Sequence, residues 1–263
     1  MSLSFDKLFY ASHICHSTHP YLLRFDDWAT KREHVALYLF DIPNLLRDYA
    51  QRRTTPHPHN PRGKLIDALP GLRLSTACEA LAHCVYAMAE IAATVANRAS
   101  KGKVPSSFNA ICKKVHRGDL DAALMRQLPD LDWYARVREL RTEWSHHSSI
   151  FVGGDDADPL ICVRAFRRQH DQVIIQGKLQ MRPRDLMEWS ERATAAIDGF
   201  GAAVFTHCIA PSLPLDNVVY TPERDEYGFP RMTDDGRLVG RNVTVRDYLA
   251  AGGIDLNELL FAK

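Results

Sequence analysis

Apolar residues between 129 and 151 recur at helical spacing: Trp133, Val137, Leu140, Trp144 and Phe151 follow at steps of four, three, four and seven. Such steps place them in one stripe, so a helix opened by Pro129-Asp130 is expected to turn this face to a core. The same periodicity predicts most of the chain before it. Leu3, Phe5, Leu8, Phe9, His13 and Cys15 suit a short first helix ended by His19-Pro20. Asp26 or Asp27 then caps a helix to about Arg53, with a kink or break after Asp41 because Pro43 follows. Pro56, Pro58 and Pro61 make Arg52 to Arg62 read as a loop. From Leu72–Ser75 to about Arg98 the pattern is apolar on more than half of the helix circumference, as in a central bundle helix, and its many alanines allow close approach of neighbours. Glu79 and Glu90 interrupt that surface, either to orient an arginine from a facing helix or as charges at the solvent edge.

Two short helices are expected next. Ser106 or Ser107 caps the first, with Arg117-Gly118-Asp119 at its end, and the second runs from Asp119 or Asp121 to Leu128. After Gly153-Gly154 the period changes to two. Leu160 to Arg168 and Gln172 to Met181, joined by Gln169-His170-Asp171, predict a β-hairpin over about 160–182. Pro183-Arg184-Asp185 starts an amphipathic helix to about Ile209, ended by Pro211 and Pro214. Weaker patterns follow: a strand at Val218 to Tyr220, another near Arg237 to Val243, and a last helix capped by Thr244 and ending at Gly252-Gly253. The expected organisation is mainly α, a helical bundle over residues 1–210 with an inserted β-hairpin, and an irregular C-terminal extension over 211–263.

Composition narrows the function classes. Lys and Arg number 33 against 32 Asp and Glu, so no global charge marks a nucleic-acid binder and any such contact must be local. The hairpin supplies a local excess, with Arg164, Arg167, Arg168 and Lys178; it reads either as a charged edge that resists aggregation or as an RNA-backbone contact. The six cysteines are scattered without a CxxC pair and read as reduced core residues. His13, Cys15, His16 and His19 crowd together, yet their spacing matches no standard zinc finger, and no metal or other cofactor is expected. With no apolar run of 18 residues or more, and neither the basic start nor the apolar core of a secretion signal in Met1 to Asp6, a cytoplasmic location away from membranes is expected. Glycine-rich phosphate loops, nucleophile elbows and His-Glu-x-x-His helices are absent from the sequence.

The chemistry gathers on the helix with the Trp133 stripe. Arg141 precedes His146 by five residues and His147 by six. An arginine that holds a phosphate and a histidine that moves a proton near neutral pH suffice in principle to cut RNA without a metal. At about 100° per residue, Arg141 lies on the flank of the stripe, His147 on the opposite flank, and His146 points almost directly away from the core. Arg141 and His146 are about 140° apart on their own helix, so a shared site calls for a second copy of the helix across a symmetric dimer.

Leu140-Arg141-Thr142-Glu143-Trp144-Ser145-His146, late on an amphipathic helix with bundle helices before it, resembles the signature of the HEPN family, an arginine followed after four to six residues by histidine. The resemblance covers roughly residues 25 to 210. It implies a metal-independent endoribonuclease in a toxin or antiviral-defence setting, working as a homodimer with RNA as substrate and with an antitoxin or regulatory protein as a further partner. It assigns Arg141 to the phosphoryl oxygens and His146 to proton transfer, with His147 in reserve. Where the family commonly has Asn, Asp or His after the arginine, this chain has Thr142, which keeps a hydroxyl but no amide. The alternative is a non-catalytic protein of that fold that binds RNA, a nucleotide or a protein partner. A third reading, metal binding by the N-terminal His and Cys cluster, predicts stoichiometric zinc in purified protein.

Overall fold

The computed structural model describes residues 24–52, 54–57, 60–146, 150–154, 159–169, 172–223, 225–226, 229–251 and 254. The protein is mainly α, with seven α-helices and seven short strands among the described residues. Two compact units are distinguishable: residues 1–27, 92–127 and 198–263 form one, and residues 28–91 and 128–197 form the other.

Helix α1 spans Arg24–Ala50 and opens with an Arg24–Asp27 ion pair of 2.9 Å. Trp28, Val35, Ile42 and Tyr49, each seven residues from the last, are all buried. Residues at this spacing stay on one side of a helix, so α1 buries a heptad stripe. Pro43 lies inside it, so the break that was one of the two outcomes expected after Asp41 does not occur. A proline inside a helix costs about 3 kcal/mol. Here its ring is exposed, while Ile42 and Tyr49 hold the helix on either side of it by burial.

The second correction concerns the expected loop at Arg52 to Arg62. Thr54–His57 (β1) and Asn60–Ile66 (β2) pair antiparallel, with an irregularity between Pro56 and His57. Proline removes one ladder donor, and a two-stranded ribbon has only edge strands, where such losses are tolerated.

Helix α2, Leu69–Ala99, begins earlier than its periodicity suggests, with Asp67 Oδ1 accepting from Leu69 N–H at 3.0 Å. It is long and apolar enough to cross a membrane, but more than half of its most apolar window is buried within the protein, as in a core helix. Helix α3, Phe108–Arg117, is capped by Ser107, whose hydroxyl accepts from Ala110 N–H, and ends at Gly118 with φ of 71°. Helix α4, Ala122–Met125, is capped by Asp121.

Helix α5, Asp132–His146, buries Trp133, Tyr134, Val137 and Leu140. The expected stripe ends with the helix. Phe151 lies in strand β3 (Ile150–Gly154), opposite Cys162 of β4 (Pro159–Gln169). The step of seven from Trp144 to Phe151 is therefore a coincidence of spacing, and Ile150-Phe151-Val152, β-branched at two positions and aromatic at the third, pairs as a strand. Strand β5, Gln172–Met181, completes the predicted hairpin with β4 and makes it part of a three-stranded sheet in the order β3-β4-β5.

Helix α6, Pro183–Val204, runs into a π-helical turn at Phe205–Ile209 and a 3-10 turn at Ala210–Ser212, where Pro211 stops it. In the unit that holds the C-terminal residues, Phe108 and Phe200 pack edge to face, with ring centroids 6.1 Å apart. Strands β6 (Val218–Pro222) and β7 (Gly240–Thr244) pair antiparallel. Thr244 then caps α7 (Val245–Ala251): its hydroxyl accepts from Asp247 N–H at 3.1 Å and donates to the Asp247 carboxylate at 2.7 Å. The expected first helix with its His13, Cys15, His16 and His19 cluster lies outside the described residues, as do Leu256, Leu259, Leu260 and Phe261.

Candidate functional site

Arg141 is half-buried on α5, on the flank where the stripe meets α2. Its guanidinium carbon lies 5.2 Å from the centroid of the Tyr86 ring on α2, within cation–π range. Tyr86 also stacks on Tyr134 of α5, with centroids 6.1 Å apart and planes inclined by 16°. Tyr134 and Arg141 are one heptad apart, about 10.5 Å along the axis, so the Tyr86 ring fills the interval between them. Tyr134 is only 3% exposed. Its hydroxyl donates to Glu90 Oε1 on α2 at 3.0 Å, and its ring meets Trp133 edge-on at 5.7 Å.

These contacts fix the relation of the two helices. Glu90 meets Tyr134, while Tyr86, four residues earlier, meets Arg141, seven residues later; α2 and α5 therefore run antiparallel. Glu79 and Glu90 were expected either to orient an arginine from a facing helix or to stand as solvent-edge charges; Glu90 accepts from a tyrosine of the facing helix. Glu79 instead stands 3.8 Å from His83 Nε2 on its own helix.

Among the described residues no carboxylate pairs with Arg141. The neighbouring positions differ: Arg136 pairs with Glu139 at 3.5 Å, and exposed Arg138 has interactions of its own. A guanidinium that rests on an aromatic face keeps its full charge and its donors for an external anion. Thr142 is exposed beside it.

His146 is the last residue of α5, and its side chain is outside the described atoms; His147 lies outside the described residues altogether. The four hairpin cations belong to one antiparallel pair. Arg164, Arg167 and Arg168 stand opposite Gly177, Ile174 and Val173, and Lys178 adjoins the bulge between Val163 and Arg164. Sequence reasoning missed Tyr86, Tyr134 and His83. Tyr86 and Tyr134 read as unremarkable aromatics in apolar surroundings, and only the pairing of α2 with α5 shows what they do.

The described cysteines carry no reactive signature. All five described are free; four are buried and Cys208 is half-buried. Burial pushes the Cys78 thiol up to about 12. Burial also raises Cys84, against an opposing effect of Lys31, and raises Cys208, aided by Asp121 and opposed by Lys103. No cluster of three or more His, Cys, Asp or Glu side chains suited to a metal ion occurs among the described residues.

Comparison with protein-family models, with curated proteins and with solved structures found no significant match for this chain.

Proposed function

We propose that the protein is a metal-independent endoribonuclease of the HEPN type, acting as a homodimer in the cytoplasm in a toxin or antiviral-defence setting, with an antitoxin or regulatory protein as a further partner. The observation that carries the reading is Arg141: half-buried, seated on Tyr86, without a carboxylate among the described residues, and five residues before a histidine on the same helix. In the reaction, the 2′-hydroxyl of RNA attacks the adjacent phosphorus and the 5′ oxygen departs, leaving a 2′,3′-cyclic phosphate. Arg141 stabilises the charge that grows on the phosphoryl oxygens, and His146 transfers a proton, with His147 in reserve. The basic residues of β4 and β5, Arg164, Arg167, Arg168 and Lys178, hold the RNA backbone through charge.

Exposed Thr142, which lacks the amide the family motif commonly carries, favours a second reading in which the surface around Arg141 binds RNA, a nucleotide or a protein partner without cleaving. RNA cleavage in the presence of a chelator separates the two. Wild type should yield 2′,3′-cyclic phosphate ends, and His146→Ala should lose activity by about 100-fold. Binding without cleavage by dimeric wild type on varied RNAs would favour the second reading.

A further inference from the structure

Cleavage by this route needs two proton transfers: one from the attacking 2′-hydroxyl and one to the departing 5′ oxygen. On α5 itself His146 stands about 140° round the helix from Arg141, so the arginine has no imidazole beside it on its own helix. Helix α2 supplies one. Glu79, His83, Tyr86 and Glu90 are spaced by four, three and four residues, which puts all four within about 60° on one face of α2. That face meets α5, because Tyr86 touches Arg141 and Tyr134, and Glu90 accepts from Tyr134.

The antiparallel arrangement sets the level of each residue. From Tyr86, which lies between Tyr134 and Arg141, His83 is one turn, about 4.5 Å, further towards the C-terminal end of α5. It is therefore level with Arg141, and Glu79 is level with the turn that follows. All four residues of the row are half-buried, on a helix whose other positions are largely core. The side chains of His83 and Glu79 are 39% and 38% exposed, so a ligand can reach them, and Glu79 Oε1 stands 3.8 Å from His83 Nε2.

We infer that His83 is the general base of this site, acting beside Arg141 of the same chain, with the Glu79 carboxylate 3.8 Å from its Nε2. The inference rests on the ribonuclease reading above. His83 takes the proton of the 2′-hydroxyl as its oxygen forms the new bond to phosphorus; the bond from phosphorus to the 5′ oxygen breaks, and His146 of the second copy in the dimer gives that oxygen its proton. Glu79 balances the charge that His83 acquires, the part a carboxylate plays beside a histidine base. Charged groups nearby include Glu90 on α2 and Arg141 on α5, which share the Tyr86 and Tyr134 contacts, and Lys31 of α1, which acts on the adjacent Cys84.

The test compares wild type, His83→Ala, Glu79→Gln and Arg141→Ala in RNA cleavage across pH 5 to 9, with thermal melts to confirm folding. His83→Ala should lower kcat by about 100-fold with little change in KM, lose the acidic limb of the pH profile, and regain activity when free imidazole is added. Glu79→Gln should retain the limb at a rate reduced by about tenfold. Cleavage that needs Arg141 but keeps its rate and acidic limb in a folded His83→Ala protein overturns the assignment and leaves the ribonuclease reading standing. Absence of cleavage by wild type overturns both.

Discussion

The bond between Tyr134 and Glu90 ties the helix that carries Arg141 to the helix that supplies its platform, and it can be removed without disturbing the rings. Tyr134→Phe deletes only the hydroxyl that donates to Glu90 Oε1 at 3.0 Å, and leaves the stack on Tyr86 and the edge contact with Trp133. A hydrogen bond to a charged acceptor contributes about 1.5–3 kcal/mol. Glu90 is half-buried and water can replace part of the lost bond, so the lower end applies, about 1.5 kcal/mol. For a chain of this size that corresponds to a fall in Tm of about 3–6 °C. Glu90→Gln weakens the same contact, and the double variant should lose less than the two single losses together, with a coupling of about 1 kcal/mol. Thermal melting of wild type, both single variants and the double variant supplies the cycle. Tyr134→Phe should also keep RNA cleavage within about twofold, since the rings that seat Arg141 remain. Additive losses in the cycle would show that the two residues do not interact, and the helix pairing built on them would fall.

Further outcomes follow from single residues. Cys78, with its thiol pushed up to about 12, should resist alkylation at pH 8 until the protein unfolds, while half-buried Cys208 reacts before it; mass spectrometry of timed alkylation reads both. Because the native thiol keeps its proton where the unfolded one loses it, Cys78 should lower stability as pH rises above about 9, by about 1.4 kcal/mol per unit, which denaturation at pH 8 and 10 compared with Cys78→Ala would detect. Gly118→Ala places a side chain at φ of 71° with nothing within 4 Å, so only backbone strain enters, and the protein should lose about 1 kcal/mol in denaturant. Gly240→Ala brings a methyl group into collision with the Thr221 carbonyl oxygen and within 2.9 Å of Pro222 Cα; hydrogen exchange should rise across 218–244 while the core amides of α2 stay protected.

Much of this architecture was legible because the relevant forces are local. Ser107 and Gly118 bracket α3, Thr244 opens α7, and the alternation in Leu160 to Met181 forms the hairpin, each through interactions within a few residues. The misreadings occurred where distant packing decided the outcome. Pro43 stays in α1, with buried Ile42 and Tyr49 on either side of it, Pro56 and Pro61 sit in a two-stranded ribbon, and Phe151 pairs with Cys162 rather than extending α5. Of the candidate site, the flank position of Arg141 was visible from helical periodicity. Its platform was not, since Tyr86 lies 55 positions earlier in the chain and becomes a neighbour only through the antiparallel pairing of α2 and α5.

The central claim is that Arg141 is an anion-holding group poised for phosphoryl transfer, and the direct measurement is the rate of RNA cleavage by wild type and Arg141→Ala in the presence of chelator. Wild type should cleave with chelator present, and the variant should lose about 100-fold or more, with the melting temperature nearly unchanged. Equal rates for the two folded proteins, or cleavage abolished by the chelator, would contradict the claim.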